Sequence, residues 1–294
     1  MTILAPLRGV TTRLFRETFA AEIAEAGFDE AVTPFIPAMR GVDPLADREL
    51  RGGLKSGAVA VTPQFIGKDP ETLRSALERI KGAGFGTADF NCGCPFPMVR
   101  NKGRGSGILR TPDVLARMLE AGCETMGPGR FSVKARIGVE RPDELLGLMP
   151  LLNGFPLRFL AVHPRTARQM YSGSCDEAAF EAVAAAAKMP VVRNGDVPLS
   201  AAGVAGADVM IGRAFIRALG ERVDSGDLLR RYGAALRKEL CGDRPVLGAI
   251  KELVSYWRDS AVWRRRWDVV KICRTLAELE CALPPAGKIA PQRG

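Results

Sequence analysis

Short apolar or β-branched runs, each closed by turn residues and followed by a helical pattern, recur eight times in the first 211 residues. They fall at 3–7, 30–35, 60–66, 87–91, 131–137, 159–163, 190–194 and 207–211. The alternation leaves few folds open, because a strand that leads through a helix into the next strand builds a parallel sheet with both faces covered. The helices carry their own start signals. Asp69 precedes Pro70, with Leu73, Ala76, Leu77 and Ile80 at helical spacing, and Thr111-Pro112 precedes Leu115, Met118 and Leu119. Eight such units predict an α/β chain whose core is a (β/α)₈ TIM barrel. A doubly wound open sheet is the competitor, since strand order is not written in the sequence. The strand ends favour the barrel: Arg8, Gln64, Asn91, Lys134, His163, Asn194 and Arg213 each close a strand or follow it closely. In a barrel these ends converge on one mouth, whereas in an open sheet they would spread along an edge.

Beyond about residue 220 the pattern turns helical, over 227–240, 246–256 and 261–279, with Gly242, Pro245 and Asp259 as breaks. This divides the chain into a barrel domain over 1–220 and a helical domain over 221–294, whose Pro- and Gly-rich end from residue 284 is expected to fray. Charge follows the same division. After Gly226, fourteen Lys and Arg face eight Asp and Glu, which places +6 of the net +9 in the tail beside Trp257, Trp263 and Trp267. Such a tail suits a polyanion, with Arg264, Arg265 and Arg266 as the contacts and the tryptophans as core. The remaining composition, 47% hydrophobic and 26% charged, excludes a disordered or fibrous chain. The most apolar stretch, 145–157, is interrupted by Pro150, Asn153 and Pro156, so no membrane span is expected. The opening MTILAPLRGV has no basic n-region ahead of a long apolar run. With seven unpatterned cysteines, reduced thiols in a cytoplasm are the expectation.

One histidine and no second close cysteine pair argue against a metal site. No nucleophile elbow, Walker loop or Gly-x-Gly-x-x-Gly turn is placed to act. The densest chemistry lies between Asn91 and Arg110, where Cys94 is followed by Arg100, Lys102 and Arg104 on a glycine-rich loop free of acids. A thiol of ordinary pKa, about 8.5, is protonated at neutral pH and can serve as a general acid. Cys92 alternates with Cys94 and is expected to point into packing. Lys134 and His163 end neighbouring strands and suit an electron-rich heterocycle. The seventh and eighth strand ends, with Asn194-Gly195-Asp196 and Gly212-Arg213, suit a phosphate group.

Taken in order, several of these segments resemble the tRNA-dihydrouridine synthases. They are Ala5-Pro6-Leu7-Arg8-Gly9, Pro63-Gln64-Phe65-Ile66-Gly67, Asn91-Cys92-Gly93-Cys94-Pro95, Val133-Lys134-Ala135-Arg136, His163-Pro164-Arg165-Thr166, Asn194-Gly195-Asp196 and Ile211-Gly212-Arg213. The Asn-Cys-Gly-Cys-Pro form and the tail segment 249–257 look most like the C subfamily. The resemblance implies a barrel holding FMN, a tRNA-binding helical domain, and NADPH-dependent reduction of the C5–C6 bond of a D-loop uridine, uridine 16 in that subfamily. By the same likeness Cys94 protonates C5, and Pro6, Leu7 and Arg8 line the flavin. Gln64, Lys134 and His163 bind or support it, Asn194, Gly195, Asp196, Gly212 and Arg213 hold its phosphate end, and Asn91 lies beside the uracil. Arg100, Lys102, Arg104, Arg136 and Arg165 would join the tail arginines as tRNA contacts. Two positions depart from the family pattern: Leu7 replaces Met, and Pro164 replaces Gly, which puts the loop carrying Arg165 in question. A flavin barrel acting on a small pyrimidine, as in dihydroorotate dehydrogenases, and a non-catalytic RNA-binding barrel are the rival expectations. A monomer is the default.

Overall fold

The computed structural model describes residues 1–284, so the expected frayed end over 285–294 lies outside the described residues. Eight parallel strands carry the fold. They are Thr2–Leu4, Glu30–Val32, a third in two pieces (Val59–Thr62 and Gln64–Ile66), Ala88–Cys92, Phe131–Gly138, Leu160–Thr166, Val191–Asn194 and Val209–Ile211. Each pairs with the next, and the last returns to the first, Val209 opposite Thr2 and Ile211 opposite Leu4. Pro63 makes a seam in the third strand: the piece before it pairs with the second strand and the piece after it with the fourth. Proline cannot donate to a ladder, but the chain itself carries the sheet across the seam. The sheet therefore closes on itself, and the open doubly wound alternative is excluded.

A second proline is accommodated differently. Pro164 lies within the sixth strand where the pairing with the fifth shifts register, between Arg136 opposite His163 and Gly138 opposite Thr166. An irregularity of this kind is where a strand tolerates a residue without an N–H. The Pro164 carbonyl still accepts from the Asp176 amide at 2.8 Å.

The helix starts follow the sequence with one difference. Asp69 accepts from the Glu71 amide at 3.0 Å and opens helix Pro70–Gly82, which buries Leu73, Ala76, Leu77 and Ile80. Thr111 opens Pro112–Met126 without a side-chain cap, because its hydroxyl donates back to the Ile108 carbonyl at 3.1 Å. Between the second and third strands the usual barrel helix is missing, and a 3₁₀ turn, Pro44–Ala46, stands in that connection. The buried Arg16–Glu49 ion pair, at 3.1 Å, ties this segment to helix Arg13–Thr18.

After helix Arg213–Glu221 come Ser225–Glu239, Asp243–Ser255, Arg264–Val270 and Leu276–Ala282. Pro245 sits in the first turn of its helix, where a missing N–H costs nothing. The single helix expected over 261–279 is two helices. Lys251 Nζ takes the Lys271 and Cys273 carbonyls at 3.0 and 2.6 Å, and Thr275 caps the restart by accepting from the Glu278 amide at 3.2 Å. These helices share one apolar cluster with the barrel. Tyr232 packs on Phe15 and Phe19, with ring centroids 6.2 and 5.5 Å apart. Trp257 and Trp263 are fully buried, donating to the Ile216 carbonyl at 2.6 Å and the Ser225 hydroxyl at 3.0 Å. Gly220 makes room for Trp257, since a Cβ there would lie 2.3 Å from the indole.

Candidate active site

A cavity of about 630 Å³ opens at the C-terminal ends of the barrel strands, within the usual size of ligand pockets. Pro6, Leu7, Arg8, Gln64, Lys134, His163, Asn194, Gly195, Asp196, Gly212 and Arg213 all line it, together with Cys94, Asn91 and Arg136. The helical tail adds Glu252, Ser255, Tyr256, Arg258 and Asp259 to the lining.

The polar groups of the cavity are fixed in direction by partners behind them. Asp89, fully buried on the fourth strand, accepts from Ser132 Oγ at 2.6 Å and from Gln64 Nε2 at 2.7 Å. Gln64 Oε1 accepts from Asn91 Nδ2 at 2.7 Å, and Asn91 Oδ1 accepts from the Gly93 and Cys94 amides at 3.1 and 2.9 Å. Both amide oxygens are thereby taken by the protein, and each amide nitrogen keeps one N–H in reserve. The Lys134 ammonium adds donors and makes no hydrogen bond among the described residues. Burial, then the charge of Arg136, brings its pKa down to about 8, with Asp89 and Cys94 opposing. Burial raises Asp89 to about 6, against its bonds to Ser132 and Gln64 and the charge of Lys134. The surface so made offers donors and positive charge, which suits a ring edge rich in carbonyls and lone pairs.

At the far side, Gly212 opens helix Arg213–Glu221 without a side-chain cap, leaving the first turn's N–H groups free for an anion. The Asp196 carboxylate accepts from Arg213 Nη2 at 2.6 Å and pairs with Arg165. An anionic side chain repels a phosphate, and the Asp196 carboxylate is itself taken up by these two arginines. Gly195, at φ +95°, lies against the His163 ring, where any Cβ would sit 2.4 Å from Cδ2.

Cys94 is 7% exposed. Its carbonyl accepts from the Ser106 amide at 3.1 Å and hydroxyl at 2.9 Å, folding the glycine-rich loop back over it. Gly105, at φ +57°, permits the closure, since a Cβ would come 2.7 Å from that of Cys94. Burial pushes the Cys94 thiol up, against the Phe96 amide and the charges of Arg8, Arg136 and Lys134. The group is held as a thiol at neutral pH. Cys92 is fully buried in the apolar core. No group of three or more His, Cys, Asp and Glu is arranged for a metal among the described residues.

Two residues expected to touch tRNA lie largely within the wall. Arg136 and Arg165 are each 2% exposed. Arg136 donates to the Gly93, Thr166 and Met170 carbonyls at 3.0, 3.0 and 2.7 Å, and Arg165 to the Gly173 carbonyl at 2.7 Å, so most of their donors are spent inside the wall, although Arg136 still lines the cavity. Arg100 and Arg104 are half-buried with unpartnered Nε groups, and Lys102 is exposed. Arg264 and Arg265 are exposed, and Arg266 is half-buried. None of these six lines the cavity. Sequence reasoning missed two aromatic residues. Tyr171 stands in the cavity with the Arg136 and Arg213 guanidinium groups over its ring, at 5.3 and 5.2 Å. Phe96 sits on the rim, 44% exposed between two prolines. An aromatic residue inside a largely polar loop was the available signal for Tyr171.

The fold and the cavity define a (β/α)₈-barrel protein with a donor-rich mouth. The barrel is shared with morphinone reductase, in a structure with tetrahydroNAD, at a TM-score of 0.51 and 15% identity over 83% of this chain and 89% of that one. It is also shared with the old yellow enzyme homologue of Zymomonas mobilis, at 0.53 and 14% over 74% and 85%. At these identities the likeness is one of fold. A family model described as dihydrouridine synthase matches residues 3–218, and the chain belongs to that family. The tRNA-dihydrouridine synthase B of Vibrio cholerae is 34% identical over 196 residues, 66% of this chain and 59% of that protein. A probable tRNA-dihydrouridine synthase of Helicobacter pylori is 28% identical over 274 residues, 88% and 78% of the two chains. Several similar relatives, including those of Vibrio cholerae, Vibrio vulnificus and Proteus vulgaris, carry the subfamily letter B, not the C that the sequence motifs suggest. No helix among the described residues is long and apolar enough to cross a membrane.

Proposed function

We propose that this chain is a cytoplasmic, monomeric tRNA-dihydrouridine synthase that uses FMN and NADPH to reduce the C5–C6 bond of a D-loop uridine. The observation that carries the reading is the placement of a buried, protonated Cys94 on the same cavity wall as the donor set Gln64, Asn91 and Lys134. The residues fit FMN. The donor-lined wall suits the polar edge of an isoalloxazine, the cradle at Gly195 admits no side chain, and the uncapped helix beside Arg213 suits the phosphate. When bound, the flavin supplies a hydride to C6 of the uracil, after reduction by NADPH.

The protein supplies the rest. Lys134 and Gln64 stabilise negative charge on the ring they face, and His163 adds a neutral donor. Asn91, whose oxygen is spent on the Gly93 and Cys94 amides, presents its remaining N–H to a uracil carbonyl. Cys94 gives the proton to C5. A carboxylic acid of ordinary pKa would be ionised at neutral pH, whereas a buried thiol keeps its proton until it is needed. A uridine reaches this cavity only when turned out of the tRNA stack. Lys102, Arg100 and Arg104 on the glycine-rich loop, with Arg264, Arg265 and Arg266 on the tail, then meet the backbone.

The likeness of the Cys94 motif and of segment 249–257 to the C subfamily supports uridine 16 as the target. The test is incubation of unmodified tRNA with the enzyme, FMN and NADPH, followed by mass mapping. A gain of two hydrogens at uridine 16 sustains the full reading. A gain at another D-loop uridine keeps the enzyme and reassigns the position, and no gain at any uridine overturns the activity.

A further inference from the structure

We propose that Arg165 is a positioning residue that fixes the tautomer of His163, so that the imidazole offers Nδ1–H, and no other donor, to the cavity. The consequence for a flavin rests on the function proposed above, whereas the tautomer itself does not. Arg165 is 2% exposed and its Nη1 lies 3.2 Å from His163 Nε2. A guanidinium has donors and no acceptor, so Nε2 must carry the lone pair and Nδ1 the proton. Turning the ring over would set Cε1–H against the guanidinium and lose the bond. The Cδ2–Nε2 edge is also walled by Gly195, where a Cβ would lie 2.4 and 2.8 Å from those atoms.

Arg165 is itself held from behind. Its Nη2 donates to the Gly173 carbonyl at 2.7 Å and pairs with Asp196, and its Nε reaches the Ser172 and Gly173 carbonyls at 3.3 and 3.2 Å. Burial, then the charges of Lys134, Arg136, Arg165 and Arg213, hold His163 neutral, with the Asp196 carboxylate paired to the last two. Nε2 is capped, so His163 cannot deliver or accept a proton there.

His163 is the one histidine of the chain, so histidine-selective ¹⁵N labelling of the full-length protein gives a single pair of ring nitrogen signals. With and without added FMN, the expected spectrum has a lone-pair Nε2 and a protonated Nδ1, unchanged from pH 8 to pH 5. Arg165→Met should mix the tautomers and weaken FMN binding about tenfold. Arg165→Lys, which keeps a cationic donor, should restore the Nδ1–H form. Nε2–H in the wild-type protein, titration within that pH range, or an unchanged tautomer in Arg165→Met would each overturn the proposal. Should Arg165→Met fail to fold, the wild-type spectrum decides alone. None of these signals depends on tRNA, so failure of the proposed activity would be seen separately.

Discussion

The arginines inside the cavity wall and those outside it have opposite circumstances. Arg136 and Arg165 are buried and spend their donors on carbonyls, a histidine and an aspartate. Arg264 and Arg265 face solvent, whereas Arg100 and Arg104 are only half-buried. The same residue type thus does two jobs. Inside, a guanidinium sets the direction in which other groups point. Outside, it is a charge available to a polyanion. Exposure and partners, not residue type, separate the two.

The largest effect should come from Cys94→Ala, which removes the proton donor and leaves the wall around it intact. Dihydrouridine formation should fall by about 10²–10⁴-fold, with FMN and tRNA binding retained in titrations. Retained turnover would remove the thiol from the mechanism. Trp257→Ala comes next and tests whether the tail aromatics are core. Loss of a fully buried indole and its bond to the Ile216 carbonyl should cost about 3–5 kcal/mol, seen as a lower Cm in urea. A loss of tRNA affinity at unchanged stability would make Trp257 a contact instead.

Lys134 gives a pH test. Its ammonium, with a pKa near 8, is present below that value and lost above it. FMN affinity should therefore fall as pH rises through about 8, and Lys134→Met should weaken binding about tenfold and abolish the step. A step that survives in Lys134→Met belongs to another group. The smallest effect sharpens the exterior side. Arg264→Ala combined with Arg265→Ala should raise KM for tRNA a few-fold and lower the salt slope by about two, at unchanged rates of flavin reduction by NADPH. Loss of stability in that variant would return these arginines to the core.

Much of this was legible because a barrel strand fixes where its last residue goes. Gln64, Asn91, Lys134 and His163 end strands, and the closed sheet brings them to one mouth. What pairing hides was less legible. Arg136 and Arg165 sit two residues beyond Lys134 and His163 and read alike on paper, but carbonyls distant in sequence or in later loops take up their donors. Asp89 gave no signal either, since a buried carboxylate shows itself only through Ser132 and Gln64, which are distant in sequence. The tail helices were visible by periodicity, but their shared core with Phe15 and Phe19 was not, because contacts across more than two hundred residues leave no local pattern. The break over 271–275 depends on Lys251, from another helix.

The central claim is that this mouth holds a flavin and spends its electrons on tRNA. It is tested by the visible absorption of the purified, FMN-loaded chain, first under anaerobic NADPH and then with unmodified tRNA. The account predicts flavin bands that bleach with NADPH and return on addition of tRNA. Bands that return with a small pyrimidine and ignore tRNA, or a folded protein that takes up no FMN, would contradict it.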